Sequence, residues 1–193
     1  MHGSEVEFDP ADAAAAAARF AARAKPDVAY AVIGTPVGTL VAATTKRGLV
    51  RLAYEDDNGG VDGILDRLAQ RVSPRILEAP ARLDDVRREL DEYFTGTRRV
   101  FDLPIDWTLT SRFGREVLRV CSEIQFGATA TYAELAARAG SPNGSRATGN
   151  ALGANPIPIV IPCHRVLRTG GGLGGYTGGL HRKEALLAVE GQC

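Results

Sequence analysis

The chain has 193 residues, 45% of them hydrophobic and 24% charged, which is room for one large domain or two small ones around a real core. Its 23 Lys and Arg balance 23 Asp and Glu, so the formal net charge is zero and no global field draws it to nucleic acid or membrane. No apolar stretch is long enough to span a bilayer, and the first residues are acidic rather than the basic and apolar regions of a secretion signal, so a cytoplasmic protein is expected.

In chain order, "PADAAAAAARFAARA" (Pro10–Ala24) is helix-prone but poor in large apolar side chains, and residues 1–26 read as an appended arm. The β-branched runs Val28–Ile33, Thr39–Thr44 and Leu49–Tyr54, separated by Gly/Pro turns and by Lys46-Arg47-Gly48, predict a three-stranded antiparallel meander. A short helix is expected from Ile64 to Val72. A clearer one lies in "RLDDVRRELDEYFTG", with Leu83, Val86, Leu90 and Tyr93/Phe94 on one face and Gly96 as the stop. "VFDLPIDW" reads as extended. From Thr110 the character changes: "TSRFGREVLRVCSEI" is amphipathic, with Phe113, Val117, Val120 and Ile124 on one side. The short helices "TYAELAARA" and "RATGNALGA", joined by "GSPNGS", match a helix-turn-helix. The expected class is α+β, with a domain over 27–107 and a helical one over 108–193.

The chemistry concentrates in "NPIPIVIPCHRVL", Asn155–Leu167. A cysteine is most often a small buried hydrophobe. Here Pro162 ends a strand-like run and places Cys163 at an element edge. His164 and Arg165 follow at once, and cations near a thiol favour the thiolate. Glu190, on the C-terminal helix "HRKEALLAVEG", is a group able to orient a histidine. Adjacent residues need not face each other, so the residues alone define a candidate nucleophilic cysteine beside a helix-turn-helix.

"PCHRV", preceded by "TYAELA", the Arg146-Ala147-x-Gly149 segment and "NPIPIVI" and followed by "GYTGGLHRKEALLAVEG", resembles the O6-alkylguanine-DNA alkyltransferases, also called methylated-DNA–protein-cysteine methyltransferases. The likeness runs from Val28 to Gly191, weakly in the first half and densely from Thr131. It implies an N-terminal small antiparallel sheet with helices, RNase H-like, and a C-terminal helical domain with the helix-turn-helix. It implies one irreversible, stoichiometric transfer of an alkyl group from guanine O6, with O4-alkylthymine as a further substrate, to Cys163. His164 would relay the thiol proton through a water toward Glu190, Tyr132 would donate to the leaving base on its N3 side, and Asn155 would buttress the turn. Pro162, Val166, Tyr176, Thr177, Gly178 and Lys183 would form the substrate pocket, with the carbonyls of Cys163 and Val166 accepting from the exocyclic amine. A base inside a duplex cannot reach a buried thiolate, so the nucleotide must be flipped out. Arg146 would fill the vacated stack. Thr131, Ala147, Thr148, Gly149 and Ala151 would face the minor groove of alkylated double-stranded DNA, where small residues let the backbone lie close. A monomer is implied, with cooperative binding along DNA left open.

Without the resemblance Arg146 reads as a solvated surface charge. Cys121 reads as core, His181 as surface, Trp107 and the aromatics of the first domain as core, and Cys193 carries no assigned role. The three cysteines and three histidines offer neither a CxxC pair nor metal-ligand spacing, so no structural zinc, other metal or cofactor is expected. Two other functions remain: an alkyltransferase-like lesion sensor, which carries another residue in place of the cysteine, and a cysteine hydrolase, which needs an oxyanion hole.

Overall fold

The computed structural model describes residues 26–56 and 59–191. The Ala-rich arm, His2 and Cys193 lie outside the described residues. Strands β1 (Val28–Thr35), β2 (Gly38–Thr45) and β3 (Gly48–Tyr54) form the expected meander, β1 pairing β2 and β2 pairing β3 antiparallel. Gly48 sits at φ 125°, and a Cβ there would lie 2.1 Å from the carbonyl oxygen of Pro104, so only glycine closes this turn.

Helix α1 (Gly60–Arg71) lays Ile64 and Leu68 over Val28, Val41, Val50 and Ala53 on one sheet face. The chain then adds a strand that periodicity did not signal: β4 (Ile76–Glu78) pairs parallel with β1, giving the order β3-β2-β1-β4. The sheet is therefore mixed, not purely antiparallel. Three residues between Pro74 and Pro80 are too few to show an alternation. Helix α2 (Asp84–Phe94) buries Val86, Leu90 and Tyr93 on the opposite face, together with Leu83 just before it.

The connection to the second half runs along the edge of β3. Leu49 N donates to Pro104 O at 2.8 Å and Asp106 N to Leu49 O at 2.9 Å. Buried Asp106 accepts from Thr45 Oγ1 at 2.5 Å and Arg47 Nε at 3.1 Å, pinning the linker to the β2–β3 turn. Helix α3 (Arg112–Ser122) begins at Ser111, whose Oγ accepts from Gly114 N. Its buried stripe is Gly114, Val117, Leu118 and Cys121, with Ile124 buried just beyond it and Val120 packed against the core, so the expected face holds except at Phe113. Phe113, in the first turn, stays 36% exposed. Cys121 is core as expected, and Gly114, which weighs little in a hydrophobic pattern, also faces inward. Trp107 is half-buried rather than core, whereas Tyr54 and Tyr93 are buried.

Helices α4 (Tyr132–Arg138) and α5 (Ser145–Gly153) form the helix-turn-helix, and α6 (Leu180–Val189) closes the chain. A two-residue parallel pair, β5 (Ala130–Thr131) with β6 (Val166–Leu167), links the entrance of α4 to the exit of the cysteine turn. One apolar cluster runs through both halves, from Ala29 and Leu52 through Leu90 to Leu118, Ile159 and Leu186.

Candidate active site

The apolar run before Cys163 is not a strand. Ile161 N donates to Ile157 O at 2.9 Å, closing a turn in which Ile159 takes φ 73° while wholly buried. A β-branched residue there is strained, and surrounding packing must hold it. The run is apolar because the turn is buried on all sides, which period alone cannot distinguish from a strand. Its backbone is tied to the first half, Leu52 N donating to Pro156 O at 2.9 Å.

Asn155 spans this turn. Its Oδ1 accepts from Ile157 N at 3.0 Å, and its Nδ2 donates to Ile161 O at 2.9 Å and to Cys163 Sγ at 3.2 Å. Cys163 then opens a single 3-10 turn, Cys163–Arg165, whose three residues are all buried. That turn aims the thiol one way and the other two side chains toward Glu190.

Glu190 is the most heavily bonded carboxylate here. Oε1 takes His164 Nε2 at 2.8 Å, Tyr93 Oη at 2.7 Å and Arg165 at 2.9 Å. Oε2 takes Arg165 Nε at 2.9 Å and Gly127 N at 3.3 Å. Burial alone would raise its pKa, but the bonds from His164 and Arg165 outweigh that and hold it at about 2. Burial lowers the pKa of His164 although Glu190 pulls the other way, so the imidazole rests neutral. Its Nδ1 has no protein partner among the described residues.

The thiol departs from expectation. Burial raises the Cys163 pKa, and the Asn155 donor and the Lys183 charge only partly oppose it. Neighbouring cations do not set the resting state here, because Arg165 is neutralised by Glu190. Cys163 rests as a thiol and needs a base.

Cys163 lines a cleft of about 750 Å³. From the helix-turn-helix come Tyr132, Arg146 and Gly149, and from the glycine-rich loop Gly174, Tyr176 and Thr177. The Tyr132 hydroxyl lies 3.5 Å from Gly175 O, and a Cβ on Gly174, at φ 70°, would sit 2.6 Å from it. Tyr176 Oη is 3.0 Å from Tyr54 Oη of β3, and Thr177 Oγ1 donates to Gly153 O at 2.9 Å.

Several expected residues lie elsewhere. Thr148, expected at the DNA face, is fully buried beneath α5, with an unpartnered Oγ1 among the described residues. Its position on the helix points it at the core, between the exposed Arg146 and Ala147 and half-exposed Gly149 and Ala151. Thr131 uses its hydroxyl in the α4 capping box with Glu134. Pro162, Val166 and Gly178 are buried outside the cleft lining, Gly178 so tightly that a Cβ would meet the Tyr54 ring at 2.3 Å. Lys183 is buried behind the wall, its Nζ donating to Val166 O at 2.6 Å and to Leu173 O. Burial lowers its pKa to about 8. Val166 O, expected to accept from the exocyclic amine of a base, accepts one bond from Lys183 and has a second lone pair.

Sequence reasoning missed Tyr93, which read as one more aromatic on a core face, and it read Arg165 only as a nearby charge. Among the described residues no group of three or more His, Cys, Asp or Glu is placed to hold a metal ion, and no helix is long and apolar enough to cross a membrane.

Residues 28–107 match the family model for 6-O-methylguanine DNA methyltransferase, ribonuclease-like domain, and residues 112–192 that for the DNA binding domain of the same enzyme. A ribonuclease-like half joined to a DNA-binding half that carries a buried cysteine is thus the class that the fold and site define. The methylated-DNA–protein-cysteine methyltransferase of Mycolicibacterium paratuberculosis is 36% identical over 84% of this chain and 92% of its own length. That of Methanosarcina acetivorans is 34% identical over 85% and 99%. The crystal structure of Mycobacterium tuberculosis OGT in complex with DNA superposes with TM-score 0.72 at 33% identity, covering 84% of this chain and 92% of that one. The chain belongs to the methylated-DNA–protein-cysteine methyltransferase family.

Proposed function

We propose that this protein repairs DNA by moving an alkyl group from guanine O6 to Cys163, once per molecule. The observation that carries the reading is a buried cysteine at the floor of a cleft whose rim is the second helix of a helix-turn-helix. In the step the sulfur–carbon bond forms as the O6–carbon bond breaks. The thiol proton passes to His164, backed by Glu190, and the leaving guanine takes a hydrogen bond or proton from Tyr132. The unpartnered Nδ1 of His164 supports a relay through a water. The raised thiol pKa explains why a base is needed, and the neutral imidazole supplies one.

The binding partner is alkylated double-stranded DNA, entered from the minor groove. Extruding the base costs a few kcal/mol, and Arg146 on the cleft rim supports its filling of the vacated stack. The small exposed face of α5, Ala147 with Gly149 and Ala151, supports close approach of the backbone. The reading carries with it action as a monomer in the cytoplasm.

Intact mass spectrometry after incubation with a duplex bearing one O6-methylguanine tests it. One added methyl, mapped to the Cys163 peptide, absent in Cys163→Ser and never exceeding one per protein, is expected. Tight lesion binding without mass change would replace the reading by a lesion sensor.

A further inference from the structure

Arg168 stands in the same cleft and has no part in the alkyl transfer. The β5–β6 register pairs Thr131 with Leu167, so the residues that follow the two strands, Tyr132 at the start of α4 and Arg168, leave the ladder from neighbouring positions. The following turn is closed by Arg168 N to Gly172 O at 2.7 Å and Gly171 N to Arg168 O at 3.0 Å, with Gly170 and Gly171 at positive φ. The Arg168 stem lies 3.7 Å from where a Cβ on Gly172 would be, so the turn itself steers the side chain along its own backbone. Its head is exposed. No Asp or Glu lines the cleft, and neither Arg168 nor Arg146 has a carboxylate within ion-pair distance among the described residues. A chain with no net charge has thus left two unneutralised guanidiniums on one cleft, carried by two different elements.

We propose that Arg168 holds a phosphodiester of the nucleotide turned into the cleft, as a second cationic anchor beside Arg146. The inference rests on the alkyl-transfer reading. An extruded base carries its two flanking phosphates to the rim, whereas its reacting edge goes to the floor at Cys163. A guanidinium is suited to a phosphate because its fork donates two parallel hydrogen bonds. The contact holds register without reading sequence. The same charge reaches Tyr132: burial raises the pKa of that phenol, and Arg168 acts against the rise.

The test compares wild type, Arg168→Ala and Arg168→Lys for single-turnover transfer from an O6-methylguanine duplex and from free O6-benzylguanine, with duplex affinity measured across salt. For Arg168→Ala the slope of log affinity against log salt should fall by about one, as for loss of one phosphate contact. Transfer at subsaturating duplex should drop on the order of tenfold whatever the flanking sequence, with a clearly smaller loss on the free base, and Arg168→Lys should recover most of the slope. An unchanged slope, or equal losses on both substrates, overturns the contact. Wild-type protein that gains no alkyl mass from the duplex overturns the functional reading and this contact with it.

Discussion

The hydroxyl of Tyr93 donates to Oε1 of Glu190 across 2.7 Å, joining helix α2 of the first half to the residue that caps the C-terminus of the final helix. Both groups are buried, and burial with the Glu190 charge pushes the Tyr93 pKa far up, so the phenol is always a donor. Tyr93→Phe keeps the ring against Phe94, Phe101 and Phe126 and removes only this bond. The cost in stability should be about 1 kcal/mol. A carboxylate with one donor fewer is more basic, so the acid limb of Cys163 alkylation by O6-benzylguanine should move to higher pH. A pH profile that superimposes on wild type would show the bond to be structural only.

Asn155→Ala strands one buried backbone group, Ile157 N–H, while Ile161 C=O keeps its bond from Cys163 N, and should cost about 1–3 kcal/mol in urea unfolding. It also removes the donor to Sγ, one of the terms opposing the rise that burial imposes on the Cys163 pKa. Peptide-mapped iodoacetamide labelling of Cys163 should therefore need higher pH in the variant than in wild type. Labelling at lower pH would contradict the assignment.

Acid should weaken the fold through Glu190. Its folded pKa of about 2 lies below the ordinary value of 4.5, so its contribution is complete above pH 4.5 and is lost as pH falls through 2. The full difference is about 3 kcal/mol, of which roughly 2 kcal/mol is gone by pH 3. Thermal unfolding at pH 5 and pH 3 should show a larger fall for wild type than for Glu190→Gln. Equal falls would remove Glu190 as the source.

Gly174→Ala combines a left-handed backbone with a Cβ 2.6 Å from the Tyr132 hydroxyl. We expect roughly 1 kcal/mol or more of destabilisation. Transfer from free base and duplex should slow to the level of Tyr132→Phe, and the double variant should be no slower. Additive losses would mean that the two residues act separately.

What was legible in the sequence follows from how locally each feature is encoded. Turn glycines and β-branched runs marked the meander, and the stretch "TYAELAARA" marked α4. The run Ile157–Ile161 deceived because a buried turn and a buried strand share composition, and the Ile161–Ile157 backbone bond with the Asn155 bonds tells them apart. Thr148 failed because its exposure depends on how α5 is rotated against the core. Cys163, His164 and Glu190 were legible as a motif, whereas Tyr93 lies 97 positions from its partner and looks like any core aromatic. Contacts made only by tertiary packing leave no local trace.

The apolar cluster that runs from Ala29 to Leu186 without a break has a thermodynamic consequence. Two halves that each match their own family model share one interior, so neither can melt while the other stays native. Unfolding should be a single all-or-none event in calorimetry, with van't Hoff and calorimetric enthalpies equal. A chain cut between α2 and α3 would present two hydrophobic half-cores to solvent. Inheritance divides this molecule in two; its cooperativity does not.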